Sequence, residues 1–308
     1  MSSSSNPSKS AAFPKETTAG GEFRRQASRF RGWIKADGSS DYPAEADRYH
    51  LYVSYACPWA HRAIIARSLK GLESVIGMTV VDPLRDEDGW AFREEPDPVS
   101  GFGYLSEAYR QSDPTFDGRV TVPVLWDKQR GEIVNNESSE IIRILNSEFG
   151  EWADNSTDWY PPELREEIDS VNQRIYDTVN NGVYRAGFAT TQDAYEAAVL
   201  PLFDSLDWLE ERLSHARFLF GEAYTEADWR LFTTLIRFDP VYYGHFKCNL
   251  KRLVDFPNLW RYVRDLFHQP KVSETVNFDH IKRHYYMTHL AINPTGVVPV
   301  GPKLDLER

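Results

Sequence analysis

Two cysteines occur in the 308 residues, and Cys57 alone stands where a thiol could do chemistry. It lies between a strand-like run, His50-Leu51-Tyr52-Val53-Ser54, and the segment His61 to Leu69, whose apolar positions suit a helix. Strand, short loop and helix put the cysteine at a helix N-terminus. Unpaired backbone N–H groups and the helix dipole favour an anion there, so the thiolate is stabilised relative to the thiol. Pro58 fits the first helical turn, which does not need its missing N–H. A Cys-x-x-Cys dithiol would need a cysteine at position 60, and that residue is Ala60. A mixed disulfide on Cys57 must therefore be cleared by an external thiol, for which glutathione is the abundant cytosolic candidate. The competing reading is a buried, inert cysteine. Cys248, in His245-Phe246-Lys247-Cys248-Asn249, lacks a helix-start signal and reads as packing. Two cysteines build neither a disulfide framework nor a cysteine-rich zinc site, and no metal is expected.

Two further sites could serve a thiol enzyme. Val122-Pro123 places a proline beside a strand, where it cannot donate to the ladder. A cis bond there would expose the Val122 backbone for pairing with a peptide-like ligand. Glu137-Ser138 opens a helix, so the helix N-terminus and hydroxyl could take the carboxylate of an amino acid and Glu137 its ammonium. A plain helix cap is the alternative for this pair.

The elements that must position these groups follow from patterning. Val75 to Val81 reads as a buried strand stopped by Asp82-Pro83, and 84 to 118 as a long loop of the kind that binds ligands. Val120 to Trp126 and Glu132 to Val134 form a hairpin about Lys128 to Gly131, and Glu137 to Leu145 a helix. The order β-α-β then β-β-α is that of a thioredoxin-like domain, expected over 46–155. After Pro161-Pro162 the pattern turns helical, with Ile168, Val171, Ile175 and Val179 at helical spacing, and likewise Val199, Leu202, Leu206, Leu209 and Leu213. Pro201 should bend that second run. Thr225 and Asp228 form a capping box, with Tyr224 stapled on Trp229. An all-helical bundle is expected over 160–290 and a tail over 291–308. Residues 1–45 read as an extension without periodic structure, its Arg24, Arg25, Arg29 and Arg31 a solvated entry segment, and no function is assigned to it.

The formal net charge of −11 without a long basic run disfavours nucleic acid and anionic membranes. No apolar stretch is long enough to span a bilayer, and the Ser-rich beginning lacks a signal core, so a cytoplasmic location is expected.

Together, Tyr55-Ala56-Cys57-Pro58-Trp59-Ala60-His61-Arg62, Gly89-Trp90-Ala91-Phe92, Val122-Pro123-Val124-Leu125-Trp126-Asp127, Asn135-Asn136-Glu137-Ser138-Ser139 and Arg237-Phe238-Asp239-Pro240-Val241-Tyr242 resemble the glutathionyl-hydroquinone reductases, the Xi class of glutathione transferases. The resemblance spans roughly residues 25 to 300. It implies the glutathione transferase fold, with Cys57 as nucleophile and a glutathione site of Trp90, Arg119, Val122, Glu137 and Ser138. It further implies that Tyr184, Tyr242 and Tyr285 surround the aromatic substrate, with Tyr243 and Tyr286 as the adjacent alternatives. The implied reaction takes glutathionyl-hydroquinones to hydroquinones through a Cys57-glutathione disulfide that a second glutathione resolves, in a homodimer. An omega-like thioltransferase or dehydroascorbate reductase and a non-catalytic binding module of the same fold remain as alternatives.

Overall fold

The computed structural model describes residues 13–307. Extended chain leads to a short parallel pair, β1 (Ile34–Lys35) and β2 (Tyr42–Pro43). The central sheet is built from β3 (Tyr49–Val53), β4 (Gly77–Val80), β5 (Val124–Asp127) and β6 (Glu132–Asn135), in the spatial order β4-β3-β5-β6. Helix α1 (Pro58–Leu69) connects β3 to its parallel neighbour β4, and β5 pairs antiparallel with both β3 and β6. Helix α2 (Leu105–Ser112) packs on β6, and α3 (Ser138–Ser147) packs against α1. This is a thioredoxin-like layer. All five residues of β3 are buried, as expected of a central strand covered on both faces. By contrast β4 is half-buried along its length because it forms the sheet edge, and the buried residues of the Val75–Val81 run are those at its ends.

The helical layer comprises α4 (Arg165–Ile175), α5 (Gly182–Gly187), α6 (Gln192–Ser214), α7 (Glu226–Leu235), α8 (Pro257–Phe267) and α9 (Phe278–Thr288), with π-helical turns at Tyr176–Asn180 and Phe238–Tyr242. Helix α6 starts on Thr191, whose hydroxyl accepts from the Ala194 N–H, and continues as helix through Pro201. The α7 cap has the expected form: the Thr225 N–H donates to Asp228 at 2.7 Å, and Tyr224 meets Trp229 with ring centroids 4.8 Å apart. Helix α1 is sandwiched between the layers, touching α3 on one side and α7 on the other. Its Ala60, Ala63 and Ala66 are buried along with His61 and Arg62, which is why its hydrophobic pattern is weak. Among the described residues no helix is long and apolar enough to cross a membrane.

Two expectations need correction. The segment 84–118 is not all loop: Glu107 accepts from the N–H groups of Gly103 and Tyr104 and so caps α2, which buries Leu105, Ala108 and Tyr109. Eight residues are too short a helix for periodicity to stand out among Gly, Pro and Asp. The extension is also more than a solvated entry. Phe23 is buried, Arg29 and Arg31 pair with Asp113 and Glu140, and Phe30 packs on Tyr109. Residues 1–12 lie outside the described part.

Candidate active site

Cys57 occupies the N-cap position of α1 with extended backbone, and Pro58 is the first helical residue. Its carbonyl accepts from the His61 N–H at 3.0 Å and its own N–H donates to the Ser54 carbonyl at 3.2 Å. The half-buried sulfur donates to the Val122 carbonyl at 3.4 Å. The Val122-Pro123 peptide bond is cis. Thiol and Val122 backbone therefore face each other at one edge of a cavity of about 610 Å³.

Of the residues expected to bind glutathione, Trp90, Arg119 and Val122 line this cavity with Cys57. Glu137 and Ser138 are not among the lining residues and stand at the start of α3. Glu137 is the N-cap: Oε1 accepts from the Ser139 N–H and hydroxyl at 3.1 and 2.9 Å, and Oε2 from the Ser28 hydroxyl at 2.9 Å. Burial pushes this carboxyl up, but those hydrogen bonds and the nearby Arg62 charge outweigh it and hold it below the usual carboxylate range. The buried Ser138 hydroxyl accepts from Arg62 Nη1 at 3.2 Å. The cap and the ligand readings of this pair are thus compatible, since Glu137 keeps a charge that an ammonium could share.

The opposite wall belongs to the helical layer. The hydroxyls of Tyr184 and Tyr285 are hydrogen-bonded to each other, and Tyr242 reaches Tyr285 at 3.0 Å. Tyr184 and Tyr285 line the cavity, whereas Tyr242 is fully buried behind them, its ring 6.0 Å from that of Tyr184. Tyr243 stays outside this cluster, and the Tyr286 hydroxyl instead donates to the Pro240 carbonyl. Burial first, then charge on Cys57, pushes Tyr184 up to about 12, and burial holds Tyr242 and Tyr285 well above the usual phenol value. All three are therefore neutral phenols at physiological pH, and the Tyr184–Tyr285 pair is the part of the cluster that faces the cavity.

Several lining groups were not anticipated. The Arg25 guanidinium lies 3.6 Å from the Trp59 ring centroid and 5.1 Å from that of Tyr184, closing one side of the cavity from the extension. Glu16 pairs with Arg119 at 2.8 Å, and the Gln26 amide both accepts from the Arg119 N–H and donates to its carbonyl, like a partner strand. Burial and the Arg25 charge lower Arg119 to about 10, which still leaves it charged. Phe13 adds an apolar rim. The available signal was the interleaving of Phe13, Phe23, Phe30 and Trp33 with arginines, which suits a segment lying on a surface rather than in solvent. His284 stacks on Trp90 at 4.9 Å and its Nδ1 meets the Pro83 carbonyl at 2.7 Å. Burial lowers it to about 4, so this ring is neutral and donates from Nδ1.

A thioredoxin-like layer with a single thiol at a helix start, facing aromatic side chains from an all-helical layer, is the architecture of the cysteine-bearing glutathione transferases. The glutathione S-transferase N-terminal domain family matches residues 56–148 and the C-terminal domain family residues 192–265. The chain is 53% identical over 293 residues to glutathionyl-hydroquinone reductase PcpF of Sphingobium chlorophenolicum, covering 94% of this chain and 92% of that protein. The glutathione-bound structure of YqjG from Escherichia coli K-12 matches with a TM-score of 0.88 at 52% identity, covering 90% of this chain and 94% of that one. The crystal structure of the Xi glutathione S-transferase from Phanerochaete chrysosporium matches with a TM-score of 0.88 at 52% identity, covering 91% and 98%. The chain belongs to the glutathionyl-hydroquinone reductases, the Xi class of glutathione transferases.

Proposed function

We propose that this protein reduces glutathionyl-hydroquinones with glutathione, using Cys57 as its nucleophile. The observation that carries the reading is the shared cavity: the Cys57 sulfur on one wall faces the Tyr184 and Tyr285 phenols on the other. The Cys57 thiolate attacks the sulfur that joins glutathione to the ring. The ring C–S bond breaks, its electron pair stays with the ring carbon, and a proton replaces the sulfur there. The free hydroquinone leaves, and Cys57 holds glutathione as a mixed disulfide. A second glutathione thiolate then attacks the glutathione sulfur of that disulfide, releasing glutathione disulfide and restoring the Cys57 thiolate. Because position 60 is alanine, no internal thiol competes for that second step.

The remaining groups take roles that suit their chemistry. Val122 offers its backbone to the glutathione cysteinyl unit, Glu137 and Ser138 hold the γ-glutamyl end, and Trp90 and Arg119 cover the rest of the tripeptide. The hydrogen-bonded Tyr184–Tyr285 hydroxyl pair presents its free proton to a quinol oxygen whose negative charge grows as the C–S bond breaks, with Tyr242 bracing the pair. A homodimer and a cytoplasmic location belong to the same reading and rest on the resemblance and on composition. A steady-state comparison of glutathionyl-menadiol with dehydroascorbate tests the assignment. The expected result is a clear preference for the former, and a preference for dehydroascorbate would move the protein to an omega-like activity.

A further inference from the structure

Arg237 follows α7 and points at the loop that carries Cys57. Its guanidinium is fully buried and all its nitrogens are engaged. Nε donates to the Ala56 carbonyl at 3.0 Å, Nη2 to the Tyr55 carbonyl at 2.8 Å, and Nη1 to the Thr233 carbonyl at 2.6 Å and to His61 Nδ1 at 3.0 Å. Among the described residues none of these partners is a carboxylate. His61 does not supply a charge either. Burial and the Arg237 cation keep it well below the usual histidine value, so it accepts at Nδ1 and donates from Nε2 to the Thr275 hydroxyl, which donates in turn to the Val272 carbonyl.

A buried cation without a counter-ion is costly even after relaxation. The two carbonyls that fix the Arg237 fork belong to the residues directly before Cys57, so this charge is held against the backbone that carries the proposed nucleophile. On its other side the chain passes straight into the Phe238–Tyr242 turn that supplies the Tyr242 phenol. We propose that Arg237 is a positioning residue: it locks the Tyr55-Ala56 backbone and lends a positive charge, from the helical layer to the thioredoxin-like one, that favours the Cys57 thiolate when the sulfur reacts. The proposal rests on the reading of Cys57 as the reacting thiol.

Other charged or titratable groups face Cys57 as well. Arg62 comes from its own helix, Tyr184 from α5 and Tyr285, His284 and His289 from α9 and its end, and Arg25, Arg85, Asp86, Glu87 and Arg119 also line the cavity. They are common to the parent and its variants, so a comparison of variants isolates Arg237. The test is the rate of iodoacetamide labelling of Cys57 in the full chain, read by mass spectrometry at pH 7 and at pH 9.5, where even an ordinary thiol is ionised. For Arg237→Met we expect the rate at pH 7 to fall about tenfold with the rate at pH 9.5 within about twofold of the parent, as loss of one nearby opposite charge implies. Arg237→Lys, which keeps the charge without the fork, should stay within about threefold at pH 7. Arg237→Gln removes the charge and keeps an amide donor, and it stands in if the methionine variant does not fold. A folded charge-free variant that labels at the parent rate at pH 7 overturns the proposal, as does an equal fall at both pH values or an equal fall in the lysine variant. None of these measurements uses a hydroquinone substrate. A parent that shows the expected pattern but does not reduce glutathionyl-hydroquinones would refute the proposed reaction and leave the role of Arg237 standing.

Discussion

The guanidinium of Arg25 sits 3.6 Å from the centre of the Trp59 ring, two residues beyond the thiol. A segment that precedes the thioredoxin-like layer thus forms part of the wall of the cavity. Removing that contact should weaken aromatic substrate binding without disturbing the thiol. For Arg25→Ala we expect the KM for glutathionyl-menadiol to rise about three- to tenfold, in line with a partly desolvated cation–π contact of about 1 kcal/mol. The melting temperature should change little, and steady-state kinetics with a parallel melt checks both.

Tyr184 and Tyr285 share a hydroxyl pair at the cavity wall. If those phenols stabilise charge on the departing quinol, their loss should appear in kcat. Tyr285→Phe and Tyr184→Phe should each lower kcat about ten- to a hundredfold with KM changed far less. Tyr242→Phe should have a smaller effect, because that hydroxyl lies behind the cavity wall. Equal losses in all three variants would contradict this ordering.

Glu137 keeps its charge while capping α3. Glu137→Gln retains an acceptor for the cap but removes the charge proposed to meet the γ-glutamyl ammonium. The expected outcome is a KM for glutathione raised about tenfold or more, from a lost charge-assisted hydrogen bond, with the fold retained. Kinetics at varied glutathione, alongside a circular dichroism melt, separates the two effects.

Burial lowers His50, His245 and His284 to about 4 from an ordinary value of 6.5. Between those values the unfolded chain binds protons that the folded one refuses, so their contribution is complete above pH 6.5 and is lost as the pH falls toward 4. Each costs roughly 1.4 kcal/mol per pH unit in that window. Chemical denaturation at pH 7.5 and pH 5.5 should show the midpoint moving clearly lower at the more acidic value. His245→Phe, which cannot titrate, should reduce that dependence.

Much of this site was legible because its parts depend on local chemistry. A cysteine before Pro58, alanine at position 60 and Glu137-Ser138 at a helix start each state a role within a few residues. Tyr184, Tyr242 and Tyr285 were placed by resemblance, and the structure separates the two that line the cavity from the one behind them. Other features were hidden because they depend on distant partners. Arg25 reads as an exposed cation until Trp59 and Tyr184 are brought beneath it, and Gln26 becomes a strand mimic only beside Arg119. Helix α2 was lost among turn-forming residues, since its cap is Glu107 reaching back to Gly103 and Tyr104. Arg237 belonged to a recognisable motif, but nothing in the sequence marked it as facing the carbonyls before Cys57.

In the proposed reaction the Cys57 sulfur takes glutathione from the ring. The most direct measurement is mass spectrometry of the full chain after incubation with glutathionyl-menadiol and no free glutathione, with the released menadiol quantified in the same sample. One glutathione per chain, attached at Cys57, and an equal amount of menadiol are expected. Menadiol released in excess of the protein, with Cys57 unmodified, would contradict it.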